Sequence, residues 1–284
     1  MTNGATKVLP MNLTRRSFHA AAGSLLLTGC ASIRLDTRAA ATAELGSTGK
    51  LRAAINLGNP ILASRGPSGE PQGVSVDLAR EAARRLGLPI ELVPFNSAGN
   101  VVEAVKAQQV DLAFVAIDPV RAADTDYTAP YVVIEGAYLV RNESPLQRNK
   151  EVDRAGTRIV VGRGSAYDLY LTREIRSATL VRIPTSPEVT NQFIAQKLEV
   201  AAGVRQQLEA DAMRLNGSGG AGLRMLPGRF MVIEQAMGVP KGRLAAQAWL
   251  SSYIEEMKAS GFVAAALQRH GIEGASVAPP LAHS

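Results

Sequence analysis

Apolar residues in this chain recur with two periods, and the two alternate. Lys50 to Leu57 forms an apolar run that reads as a strand, broken by Gly58-Asn59-Pro60. Gly66 to Gly73 holds three glycines and two prolines, which is turn chemistry. Val76 to Leu86 then changes to helical spacing. Leu78, Ala82 and Leu86 share one face, Arg80, Arg84 and Arg85 lie away from it, and Gly87 is a natural stop. Ile90 to Phe95 is a second strand and Ala98 to Gln108 a second helix. Val110 to Ile117 is a third strand, apolar throughout except for Asp111. Runs of this kind suit a parallel sheet covered on both faces, and the order β-α-β-α-β is that of an open α/β sheet.

The pattern then repeats. Thr157 to Gly162 reads as a strand, Gly162 to Ser165 as a turn and Ala166 to Ile175 as a helix. Leu180 to Ile183 is a strand, Ser186 to Lys197 a helix and Val200 to Val204 a strand. Two similar α/β halves predict a cleft between them, with ligand at the carboxyl ends of the strands. Leu244 to His270 reads as helical, with Trp249, Tyr253 and Met257 spaced as core residues.

The N-terminus changes the picture of charge. The chain of 284 residues carries a net charge of +6, but its first 29 residues contain Lys7, Arg15 and Arg16 and no acid. Beyond them 28 basic residues face 25 acidic ones, and no Lys/Arg cluster interleaves with aromatics, which argues against nucleic acid. Arg15 and Arg16, the short apolar run Ala20 to Leu27 and small residues before Cys30 make a signal peptide, too short to span a bilayer. The paired arginines with Phe18 look like a twin-arginine signal, though general secretory signals also carry two arginines. Leu27-Thr28-Gly29-Cys30 looks like a lipobox, in which Cys30 becomes the lipidated first residue. Met11 could be the true start. Residues 1–29 are therefore expected to be removed, and residues 30–48, rich in Ala, Ser and Thr, to form a tether. One cysteine excludes an internal disulfide, and three histidines offer no metal spacing, so no cofactor or metal is expected.

From about Lys50 to Gly271 the chain resembles the family-3 periplasmic solute-binding proteins, the receptors of polar amino-acid ABC importers. The resemblance rests on Gly73 to Leu78, Val110 to Ala113, Pro119-Val120-Arg121, Tyr127 to Tyr131, Val161 to Ser165 and Ser260-Gly261-Phe262, in that order. It implies a two-lobed, type II periplasmic-binding-protein-like α/β fold. Lobe 1 is then discontinuous (49–139 plus 231–274), lobe 2 is inserted (140–230), and 275–284 is a C-terminal tail. The crossings are expected near Ala137–Arg141 and Phe230–Gly238, and closure of the lobes would bury the ligand.

The resemblance also implies a site. Arg121 matches the family arginine that grips a ligand carboxylate through two parallel hydrogen bonds. Gly164 and Ser165 match a turn whose backbone N–H groups face an anion at a helix N-terminus; Ser165 could instead serve only as an N-cap. Asp77 matches a family acid but reads here as a helix-start residue. Tyr127 and Tyr131 read as packing, and Glu135 sits beside the first crossing. Three departures stand out. Asn59-Pro60-Ile61-Leu62 replaces the usual aromatic sandwich, so Asn59 is a candidate contact. Ala116 and Asp118 stand where Ser or Thr is usual. Arg205 aligns with the acid that usually binds the ligand ammonium, which would favour a second carboxylate; a shift of a residue or two would instead put Arg205 at the start of a surface helix.

These features predict an exported, lipid-anchored, monomeric receptor. It would pass a small carboxylate-bearing metabolite to an ABC permease, without cofactor, metal or nucleic acid. The competing readings are an exported enzyme similar to the cyclohexadienyl dehydratases, with Asp118 or Glu135 as general acid, and a sensory or assembly lipoprotein.

Overall fold

A computed structural model describes residues 1–4, 37–217, 220 and 222–281. The signal residues, Cys30, His19 and His283 lie outside the described residues. Residues 37–284 form one compact unit. Among the described residues no helix is long and apolar enough to cross a membrane.

The expected tether is in part a helix. Residues 37–45 form α1, and Ala41 and Leu45 on it are fully buried. Their i, i+4 spacing puts both on one side of the helix, a pattern too short to stand out among so many alanines. The next elements are β1 (Leu51–Asn56), the small ribbon β2 (Ser64–Arg65) and β3 (Pro71–Gln72), α2 (Val74–Leu86), β4 (Ile90–Phe95), α3 (Ala98–Lys106) and β5 (Leu112–Ala116). Then come the long β6 (Thr125–Arg141), β7 (Arg158–Gly162), α4 (Ala166–Glu174), β8 (Thr179–Ile183), α5 (Val189–Ala195), β9 (Val200–Val204) and α6 (Arg205–Gly217). The chain closes with β10 (Leu223–Met225), β11 (Met231–Pro240), α7 (Leu244–Ala259), α8 (Phe262–Arg269) and β12 (Ser276–Val277).

The main sheet runs β4-β1-β5-β11-β6-β9-β7-β8. β1 is parallel to β4 and β5, and β7 is parallel to β8 and β9, so each lobe carries a parallel three-stranded core. Between these cores lie two long antiparallel strands. β6 pairs with β11 along most of its length and meets β9 from Gly136 onward. One strand thus serves both lobes. Thr125 to Gly136 pair with β11 and Gly136 to Leu139 with β9, so this strand joins the two parallel cores. At the handover Gly136 is crowded by Phe230 and Met231, which leave no room for a side chain.

The buried strands explain their own composition. On β1, Ala53 and Ile55 enter the largest apolar cluster while Ala54 enters another on the opposite face. On β5, Leu112, Phe114 and Ala116 alternate in the same way with Ala113 and Val115. Side chains alternate with period two, so a strand covered on both faces must be apolar at every position. Helix α2 begins at Gly73, whose φ of 127° and the Leu62 carbonyl against it exclude a side chain. It ends at Gly87 in a left-handed cap. The helical tail breaks at Gly261, where φ is 78°. Tyr253 and Met257 are buried, and Trp249 is half-buried and stacked on Tyr253 at 5.4 Å. The C-terminal tail is partly docked: Ser276 and Val277 pair with Val133 and Val132 of β6, and Ala278 is buried.

Asp77 makes no capping hydrogen bond to α2 but lies in its first turn, where an acid complements the helix dipole. Its carboxylate pairs with Arg269 and His270, at 2.9 and 2.8 Å.

Candidate functional site

The carboxyl ends of β1, β5, β7, β8 and β9 converge on one cavity, as expected for ligand sites in open parallel sheets. Its free volume is about 40 Å³, part of it open to solvent. Asn56, Asn59, Ala116, Arg121 and Gln235 line it from the first lobe, and Ser165, Tyr167, Ser186 and Val204 from the second. A neighbouring space of about 20 Å³ shares Asn59, Tyr167, Ser186 and Val204 and extends to Thr190 and Gln207. Asn59, Ala116, Arg121 and Ser165, four of the residues read from sequence, are brought together here.

Arg121 is the one charged side chain in either lining. It opens a single 3-10 turn after β5 and is 3% exposed. Its Nη1 donates to the Ala116 carbonyl at 2.9 Å and its Nη2 to the Gly164 carbonyl at 2.8 Å, across the cleft. Its Nε has no partner. Burial pushes the guanidinium below its usual pKa range, while Tyr127 and Asp118 nearby act in the opposite direction. The Tyr127 hydroxyl is itself raised to about 12 by burial. Tyr131 is fully buried, its hydroxyl 3.2 Å from the Ser75 hydroxyl, as a packing residue should be.

A second orphan faces this arginine's environment: Asn59 Oδ1 is buried without a partner. A buried polar group left unpaired costs about 1–3 kcal/mol. Two residues of the lining thus leave one donor and one acceptor without a partner among the described residues.

The helix start at α4 differs from expectation. Gly164 N–H donates to the Asp168 carboxylate at 2.8 Å, and Ser165 Oγ caps the helix by accepting from Asp168 N–H at 3.0 Å. The anion that this turn would hold is supplied by the chain itself, four residues on. What Gly164 offers across the cleft is its carbonyl, which accepts from Arg121, so its predicted role is reversed from donor to acceptor. Ser165 lines the cavity, but its Oγ is engaged in the cap.

Arg205 is also placed differently. It opens α6 and turns away from the cavity. Its Nε donates to Glu135 at 2.8 Å and its Nη2 to the Gly228 carbonyl at 2.6 Å. Arg229 joins the same carboxylate at 2.7 Å, which holds Glu135 below its usual pKa range. Val204, one residue earlier, lines the cavity instead. Adjacent strand residues point to opposite faces, so an alignment shifted by one exchanges a cleft residue for an outward one. Asp118 is likewise absent from the lining. Its Oδ1 accepts from Val120 N–H at 2.8 Å and its Oδ2 stands 3.0 Å from Arg173, close but not aligned as a hydrogen bond. It orients neither Arg121 nor Arg205 by direct contact.

Sequence reading missed Tyr167, Ser186 and Gln235. Tyr167 and Ser186 follow the β7 and β8 ends, a positional signal that was available. Gln235 lies opposite Ala116 only because β11 inserts beside β5 from far along the chain. No acid lines either space, and among the described residues no group of His, Cys, Asp or Glu is arranged for a metal.

Comparison with known proteins agrees with this architecture. No curated protein sequence matches the chain. Among solved structures, the solute receptor for L-cysteine of Neisseria gonorrhoeae superposes with a TM-score of 0.71 at 22% identity, covering 82% of this chain and 94% of that one. A mutant of the arginine-binding protein ArgBP from T. maritima gives 0.70 at 18% identity, covering 82% and 100%. An ancestral amino acid-binding protein, a precursor of cyclohexadienyl dehydratase, gives 0.67 at 16% identity, covering 80% and 97%. These likenesses establish the two-lobed fold. Residues 51–273 match the bacterial extracellular solute-binding proteins, family 3, and the chain belongs to that family.

Proposed function

We propose that the protein is an extracytoplasmic receptor that captures a small carboxylate-bearing metabolite by lobe closure and delivers it to an ABC permease. The observation that carries this reading is the cavity at the strand ends, lined by a single charge, the buried Arg121, and by no acid. A fixed cation under low dielectric favours one anionic group and offers nothing to a buried ammonium. The ligand carboxylate would displace the Gly164 carbonyl from Arg121, which ties binding to movement of the lobes. The lobes are taken as 49–139 plus 231–274 and 140–230, with residues 1–29 as signal and Cys30 as the lipidated anchor of a monomer. A dehydratase on this scaffold needs a general acid over the leaving hydroxyl. Among the described residues no carboxyl or imidazole group lines the cavity, and this reading assigns no residue to that role.

A thermal-shift screen of organic acids against amino acids tests the ligand class. Stabilisation by organic acids is expected, and stabilisation by zwitterionic amino acids alone overturns that ligand class while leaving the receptor reading in place. Arg121→Ala should weaken binding by about 2–5 kcal/mol, the cost of removing a buried charge partner. Unchanged affinity by calorimetry places the site elsewhere. Cys30→Ser should move the protein from the membrane to the soluble fraction, and continued membrane association rules out the anchor.

A further inference from the structure

Two residues that line the cavity each carry a buried atom without a partner among the described residues, and the two atoms are chemically opposite. Arg121 Nε is a donor, and Asn59 Oδ1 is an acceptor. A carboxylate answers the first. The second needs a hydrogen-bond donor on the same ligand, and the lining limits what that donor can be. An ammonium group in this cavity would find amide, hydroxyl and apolar side chains, with no acid among the described residues of either lining to balance its charge. With the ligand carboxylate already matched to Arg121, an ammonium would leave one uncompensated buried charge. A neutral donor leaves none.

The backbone at Asn59 is held by hydrogen bonds on both sides. Its own N–H donates to the Asn56 carbonyl at 3.2 Å, and its carbonyl accepts from Leu62 and Ala63 N–H at 3.0 and 3.1 Å. The Asn56 side chain in turn accepts from Gly58 N–H at 3.0 Å. The backbone of the turn after β1 is hydrogen-bonded at Leu57, Gly58 and Asn59, and Asn59 lines both adjoining spaces. A site built to pair a ligand hydroxyl rejects the analogue that lacks it, because its own polar group is then left unpaired.

Building on the receptor reading, we propose that Asn59 selects the ligand, and that the ligand is a small hydroxy-carboxylate with no amino group. The carboxylate sits on Arg121 and the hydroxyl donates to Asn59 Oδ1.

The test is calorimetry on protein unfolded, dialysed and refolded to strip any copurified ligand. The probes are matched acids of three to six carbons carrying a hydroxyl, a hydrogen or an ammonium on the carbon beside the carboxyl or on the next. The wild type should bind a hydroxy acid at least about tenfold more tightly than both matched partners, as expected when a buried polar group goes unpaired. Asn59→Ala should erase this advantage over the unsubstituted acid. Asn59→Asp, which supplies the missing negative charge at similar size, should shift preference toward the amino acid. Circular dichroism and the melting temperature confirm that both variants fold. Tightest binding of the amino acid by the wild type, or an undiminished hydroxyl advantage in Asn59→Ala, overturns the role of Asn59 and leaves the receptor intact. Failure of every carboxylate to bind overturns the receptor reading and this inference together.

Discussion

Arg121 and Arg205 carry the same guanidinium in opposite circumstances. Arg121 is buried among carbonyls with no anion touching it, whereas Arg205 lies against Glu135. Their sequence contexts do not reveal this. Arg121 follows a Pro turn that any surface arginine could follow, and Arg205 sits one residue beyond a strand whose facing residue is Val204. The Arg205 partner lies 70 residues away on β6, so no local pattern announces it. Asp111, the one polar residue in the third predicted strand, has a clearer physical account. It is fully buried beside Arg52 and Arg243, each at 2.8 Å. Burial alone would raise its pKa, but hydrogen bonds from Arg52 and Arg243 outweigh that and lower it. A carboxyl whose folded pKa is depressed contributes stability above its unfolded value near 4, and that stability is lost as pH falls through the folded value. Asp111→Asn should therefore destabilise the protein at pH 7 by on the order of 3 kcal/mol in urea unfolding. The difference from wild type should shrink below about pH 4; a difference constant from pH 7 to pH 3 rules this account out.

Elements with a complete local pattern were legible. β4 and β9 have the bounds read from sequence, and α2 and α4 differ by two residues or fewer at each end. Period two, period 3.6 and the stop at Gly87 are properties of adjacent residues. The long β6 and β11 were not found this way, because they pair with different partners along their length and their polar positions, such as Glu135 and Gln235, interrupt the alternation. α1 was missed for a related reason. Its anchor is tertiary: the Glu44 carbonyl accepts from Arg243 at 2.9 Å, and the Glu44 carboxylate accepts from Ala246 N–H at 2.7 Å, at the start of α7. α7 has no side-chain cap of its own, so α1 brings the acid that this helix N-terminus favours. Leu45→Ala should cost about 2–5 kcal/mol in chemical denaturation, as for a buried leucine. A change under about 0.5 kcal/mol, typical of an exposed site, would return this segment to the status of a tether.

At the scale of the molecule, polar contacts across the cleft add to the apolar cluster that runs through both halves. Arg121 reaches the Gly164 carbonyl, Arg173 stands against Asp118, and a side chain on Gly164 would press on the Gly99 backbone. The Arg173 side chain is 38% exposed, so its pair with Asp118 contributes at most about 1 kcal/mol, or roughly fivefold in the balance of open and closed forms. Arg173→Ala should raise the radius of gyration of the ligand-free protein in X-ray scattering and weaken ligand binding up to about fivefold, without lowering the unfolding midpoint. An unchanged scattering profile with unchanged affinity removes this pair from closure.

The sequence by itself determined the α/β alternation, the two halves, the position of Arg121 after β5 and the family. Each depends on local periodicity or on the order of short motifs over some 220 residues, and neither needs a contact to be known. Tertiary structure alone decided which residue of each pair faces the cleft. It set Val204 rather than Arg205 toward the cavity, gave the Gly164 N–H to Asp168, tied Asp118 to Arg173 and left Asn59 and Arg121 with unpaired atoms. Those outcomes depend on strand register and on charges brought together from distant segments, where a shift of one residue reverses a side chain's direction and changes its partner.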